Sequence, residues 1–155
     1  SKAFGVMGGM IAGSATLIDY IRQKARPNLF SSALTIPDVA ANLASVDILE
    51  ESEARVNRLR ENGDFLKREL SAAGFDTGHS ETPITPVIIG EASDAKTFSA
   101  ELFKKGVFAT AIVFPTVPRG TARIRCMVSA AHTKEDLRFA VERFVEVGRG
   151  MGILP

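Results

Sequence analysis

Three groups of residues have types and spacing that could do chemistry. The first is the opening run Ser1-Lys2-Ala3-Phe4-Gly5-Val6-Met7-Gly8-Gly9, where a lysine stands among small and glycine residues ahead of the apolar Met10-Ile11-Ala12. Glycine has no Cβ and tolerates positive φ, so such a loop lets backbone approach a ligand closely. A lysine amine held among apolar neighbours loses solvation for its charged form, which makes it a usable nucleophile. The stretch by itself fits a surface lysine beside a glycine turn better. The second group is Ser31-Ser32. Two adjacent hydroxyls ahead of a helix beginning near Pro37 could donate, together with backbone N–H groups and the helix dipole, to a phosphate. The same residues also describe a serine cap and turn, and residue types alone favour that. The third group lies in Thr121 to Val128, where alternation puts Arg123, Arg125 and Met127 on one face and Ala122, Ile124, Cys126 and Val128 on the other. An arginine on a rigid strand suits bidentate capture of a carboxylate. A solvated strand face with two favourable charges is the plainer reading of the pattern.

The elements that must position these groups follow from periodicity. Residues 8–13 read as a short buried strand, and Ser14 as the N-cap of a helix through Leu17, Ile18 and Ile21 that stops before Pro27. Two more helices are expected over 37–49 and about 52–73. In the second of these, Val56, Leu59, Gly63, Leu66 and Leu70 form an apolar stripe opposite Arg58, Glu61, Lys67 and Arg68, a charged set that reads as a solvated face. Gly74 stops that helix. A strand over 84–89 has Pro83 just ahead of it and Pro86 within it, which suggests an edge position or an irregular start. A helix over 93–105 would turn Ala95, Phe98, Leu102 and Phe103 inward. Strands over 107–113 and 121–128 flank a proline-interrupted loop over 114–120. A final helix over 133–148, capped by Thr133, buries Leu137, Ala140, Val141, Phe144 and Val145. The expected fold is α/β, with the C-terminal part α+β: a small antiparallel sheet with helices on one side. A composition shift near Glu50-Glu51 marks the expected boundary between residues 1–50 and 51–155.

The 155 residues suffice for one core, or for a core plus part of another. A net charge of +1 gives no electrostatic case for nucleic acid or an anionic membrane. A single cysteine, Cys126, excludes an internal disulfide and fits a reducing, cytoplasmic compartment. No apolar run reaches the length of a membrane span. His79 and His132 lack metal-ligand spacing, and neither a P-loop nor a nucleophile elbow is present. Cys126 alternates onto the apolar face and reads as a core residue.

Four blocks together resemble the α-oxoamine synthases, pyridoxal-phosphate enzymes with the fold-type-I (aspartate-aminotransferase-like) architecture. They are the Lys2 segment, Arg26-Pro27-Asn28-Leu29-Phe30-Ser31-Ser32, the run from Phe114 to Arg125, and Ser129-Ala130-Ala131-His132-Thr133. The resemblance covers essentially the whole chain, in family order and spacing. It implies that Lys2 anchors pyridoxal 5'-phosphate and acts as catalytic base, and that Ser31 and Ser32 hold the cofactor phosphate of a neighbouring subunit in a homodimer. It further implies that Arg125 binds the amino-acid carboxylate, and that the 114–120 loop lies near the site entrance. It also implies that the chain is the C-terminal portion of an enzyme, residues 1–50 being a remnant of the large cofactor-binding domain. The residues that stack on the cofactor ring and pair with its pyridine nitrogen would lie outside the portion. Within the family the likeness is first to glycine C-acetyltransferase, which condenses glycine with acetyl-CoA. Next is 8-amino-7-oxononanoate synthase, which uses L-alanine and a pimeloyl thioester. A stand-alone α+β binding module is the non-enzymatic alternative.

Overall fold

A computed structural model describes residues 2–155. The chain divides into two compact units, one ending at Glu53 and one spanning Ala54–Pro155.

The first unit is three helices joined by loops. Helix α1, Ala15–Lys24, is capped by Ser14, whose side chain accepts from the Leu17 N–H. The four-residue α2, Arg26–Leu29, carries Pro27 in its first turn, where the missing N–H costs nothing. Helix α3, Ile36–Glu51, begins at Thr35, whose Oγ1 accepts from the Asp38 N–H at 3.3 Å and donates to its carboxylate at 2.6 Å. Residues 8–13 form no strand, contrary to expectation, and Met10 and Ile11 are 61% and 65% exposed. A strand exists only by pairing, and the described part of this unit contains no neighbour for it.

In the second unit, helix α4 covers Ala54–Ala72, β1 Ile84–Gly90, α5 Ala92–Lys104, β2 Thr110–Ile112, β3 Ala122–Met127 and α6 Lys134–Gly150. The sheet is wholly antiparallel with order β1-β3-β2, so the strand bearing Pro86 is at an edge as expected. Register sets Arg125 opposite Pro86 on one side and Thr110 on the other. Ala122, Ile124 and Cys126 are 3%, 0% and 5% exposed, which fixes the inner face of β3 and sends both arginines outward. Against that inner face pack Leu66 and Leu70 of α4, Ala95, Phe98 and Leu102 of α5, and Phe144 and Val147 of α6. Phe75, Phe98 and Phe144 form an aromatic trio with centroids 5.6–6.1 Å apart. Phe103, expected inward, is 66% exposed and stacks edge-on against Phe108 instead. Ala95, Phe98 and Leu102 already fill the core stripe, and Phe103 falls about 100° round the helix from Leu102.

Two helix features tie this unit together. Thr133 and Asp136 make a reciprocal capping box at the start of α6. Gly63 in α4 lies so close to the backbone of Pro83 that an added Cβ would stand 2.9 Å from its Cα, so the α4 stripe needs glycine there for contact.

Candidate active site

Lys2 opens a turn in which the Gly5 N–H donates to the Lys2 carbonyl at 3.1 Å, with Gly5 at φ 70°. Its side chain is exposed. The apolar enclosure expected for the amine is therefore not supplied by the described residues. Further along the loop, Gly8 has φ 104°, and an added Cβ would meet the Leu34 side chain at 2.8 Å. Leu34 follows Ser31-Ser32 by two residues, so this contact lays the lysine loop beside the serine loop. The two serines stand three and four residues ahead of Thr35, which caps α3, so they do not cap the helix themselves. Both are exposed, and neither hydroxyl has a hydrogen-bond partner among the described residues. The Lys2 amine and the two serine hydroxyls are thus exposed and unengaged, each open to a ligand or to a partner surface.

Arg125 belongs to the second unit. It projects from the outer face of β3 into a cavity of about 300 Å³ shared with His79, Ser80, Thr82, Thr116 and Arg123. Thr116 comes from the 114–120 loop, in which the Arg119 guanidinium sits 4.4 Å from the Phe114 ring centre. Among the described residues Arg125 has no acidic partner and no hydrogen bond, so its guanidinium is available for an anion. The strand that carries it is held at its far end by Asn62, 2% exposed, whose amide donates to the carbonyls of Ser129 and His132 at 3.0 Å each. Lys134 in turn donates to the side-chain Oδ1 of Asn62 at 3.2 Å. His132 accepts from the Ser129 N–H through Nδ1, which makes it a loop-closing residue ahead of α6.

Two features escape sequence reasoning. Lys67, expected on a solvated face, is half-buried and donates to the Ser80 carbonyl at 2.5 Å, bracing the loop that forms one wall of the cavity. His79 lines the same cavity, a placement that no local spacing announces. Arg125 also borders a larger cavity of about 800 Å³ walled by Phe108, Phe139, Leu137 and Cys126. Burial pushes the Cys126 thiol up to about 12, so it is not a thiolate nucleophile near neutral pH. Among the described residues no cluster of three His, Cys, Asp or Glu could hold a metal, and no helix is long and apolar enough to cross a membrane.

Comparison with known proteins gives these features a context. The family model for aminotransferase class I and II matches residues 1–144. The 8-amino-7-oxononanoate synthases of Thermosipho melanesiensis and Fervidobacterium nodosum are each 57% identical over 154 residues, covering 99% of this chain and 39% of theirs. The chain thus spans about two-fifths of the length of these curated relatives. A serine palmitoyltransferase from S. paucimobilis with bound PLP and myriocin superposes with a TM-score of 0.86 at 27% identity, over 97% of this chain and 38% of that one. The chain belongs to the aminotransferase class I and II family, a pyridoxal-phosphate-dependent family, and its relatives are of the α-oxoamine synthase type.

Proposed function

We propose that this chain is the C-terminal part of a pyridoxal-phosphate-dependent acyltransferase of the 8-amino-7-oxononanoate synthase type, condensing L-alanine with a pimeloyl thioester. The observation that carries the reading is the 57% identity to two synthases of that name across nearly all of the chain. The same relatives move the assignment away from glycine C-acetyltransferase, the first expectation from sequence, to the second. In this reading residues 1–50 are what the chain holds of the large cofactor-binding domain, and 51–155 are the small domain.

Pyridoxal phosphate, when bound, supplies the electron sink that makes an amino-acid Cα–H bond acidic. Lys2 Nζ would be the amine that holds it and the general base that takes the Cα proton. Ser31 and Ser32 would hold the cofactor phosphate by hydrogen bonds from their hydroxyls, across a two-fold interface between two copies of the enzyme. Arg125 holds the amino-acid carboxylate through paired N–H donors, which orients the Cα–H bond for removal. The exposed amine, the unengaged hydroxyls and the guanidinium without counter-ion support these roles.

The test uses the complete, cofactor-loaded enzyme that carries this chain. Borohydride reduction followed by peptide mapping should place the pyridoxyl group on Lys2. A panel of glycine, L-alanine and L-serine against acetyl, pimeloyl and palmitoyl thioesters should give the highest kcat/KM for the alanine–pimeloyl pair. A pyridoxyl group on another residue removes Lys2. A best pair of glycine and acetyl thioester restores the glycine C-acetyltransferase reading.

A further inference from the structure

The cavity of about 300 Å³ on the outer sheet face holds two guanidinium groups, Arg123 and Arg125, and no Asp or Glu lines it. Residues two apart on a strand face the same side at about 6.6–6.8 Å. Arg123 donates through Nε to the Thr121 carbonyl at 3.1 Å. That bond fixes one edge of the group and leaves its two terminal nitrogens without acceptors among the described residues. Two like charges facing one cavity without a counter-ion repel, and anionic ligands remove that cost.

Capture of an amino acid uses only one of the two, because one carboxylate is satisfied by a single bidentate guanidinium. The other positive charge has no part in that step. Beside the arginines, Ile84 and Pro86 from β1 and Ile112 from β2 give the cavity an apolar strip, with the polar His79, Ser80, Thr82 and Thr116 completing the wall. Ser80, on the rim, commits its hydroxyl to the Ile84 carbonyl at 2.6 Å and is not free to bind a ligand. The apolar strip beside two guanidinium groups suits a short methylene chain ending in an anion.

We propose that Arg123 is a specificity-determining residue that binds the distal carboxylate of a dicarboxylic acyl chain while Arg125 holds the amino acid. This rests on the condensation proposed above. An extended chain of six C–C bonds of about 1.5 Å spans about 7.5 Å, close to the separation of the two arginine positions. A two-carbon acyl group cannot reach from one to the other, and a neutral tail offers Arg123 nothing to bind.

The experiment compares pimeloyl with heptanoyl thioester, which have the same carbon count and differ in the terminal carboxylate, in the complete holoenzyme and its Arg123→Gln and Arg123→Lys variants. In Arg123→Gln the ratio of kcat/KM for pimeloyl over heptanoyl should fall by about 10- to 100-fold. Arg123→Lys, which keeps the charge, should recover part of it and also controls for misfolding. Free pimelate should inhibit the parent enzyme competitively against the thioester, more strongly than heptanoate, and that difference should disappear in Arg123→Gln. Equal losses for both thioesters would place Arg123 on the carrier portion common to them and overturn the proposal. A rise confined to the alanine KM would place it on the amino acid and overturn the proposal as well. Should the parent enzyme turn over neither thioester with any amino acid of the panel, the condensation itself fails and this inference with it. A parent enzyme active on pimeloyl thioester with an unaltered ratio in the variant sinks the inference alone.

Discussion

The two units differ most in what they bury. Ala54–Pro155 closes a core in which Leu70, Val87, Phe98, Leu102 and Ile124 reach 0% exposure, whereas no residue of α1, α2 or α3 is buried. Phe30 and Ile36, at 84% and 86% exposure, flank the serine pair and carry their apolar surface outward. Exposed apolar side chains at that density are characteristic of an interaction surface. The residues proposed to hold the cofactor thus sit on a scaffold with no core of its own, and the arginines proposed to hold substrate sit on one that is self-sufficient. A rigid element places a guanidinium without help, as β3 does. The amine and hydroxyls stand on exposed loops of a unit whose helices bury no residue.

The sharpest way to break this contrast is a pair of truncations. Phe98→Ala deletes a ring that touches Phe75 and Phe144 in a fully buried site, and should cost about 3–5 kcal/mol in urea unfolding of the chain. Phe30→Ala removes a ring 84% exposed, and should change the same transition by no more than about 0.5 kcal/mol. In the complete enzyme the Phe30 change should become larger, because its ring would then be covered. Similar effects for both in the isolated chain would mean that the first unit has a core after all.

Arg125→Ala gives a smaller effect and tests the other side of the contrast. It removes a charge-assisted contact worth about 1.5–3 kcal/mol. The KM of the complete enzyme for its amino-acid substrate should rise about 10- to 100-fold, while the thermal transition of the second unit stays in place because the side chain has no partner among the described residues. A variant with unaltered amino-acid kinetics removes Arg125 from the site.

How much of this could be read from residue order depended on where each signal's partners lie. The β3 alternation was legible because both faces are decided by the strand's own side chains, and Ile124 and Cys126 face the core as the pattern requires. The α4 stripe, the Ser14 and Thr133 caps and the edge position of Pro86 were legible for the same reason. The apolar run at 8–13 was not, since a strand is completed by a neighbour that local sequence does not name. The strand expected over 107–113 shrinks to Thr110–Ile112 for a related reason, as only those residues find register with β3. Of the site, the arginine face came directly from period two. The reach of Lys67 to Ser80 and the entry of His79 into the cavity are tertiary facts without a local trace.

The smallest predicted effect separates local capping from packing within the second unit. The Asp136 carboxylate accepts from the Thr133 N–H and hydroxyl at 2.8 Å each, and the backbone bond, then the hydroxyl, hold it below the usual carboxylate range. A pKa lowered by folding contributes stability that is fully present above the unfolded value of about 3.9 and is lost as pH falls through the folded one. Glu146, lowered chiefly by its bond from Lys105, acts in the same direction, its contribution being lost as pH falls below the ordinary glutamate value of about 4.3. Asp136→Asn should therefore melt slightly earlier than the parent near neutral pH, and the gap should close as pH drops below about 4. A gap that persisted at low pH would assign the loss to altered packing at the start of α6 and not to the charge. The helix would then owe its start to Leu137 and its neighbours in the core, and the cap would be incidental.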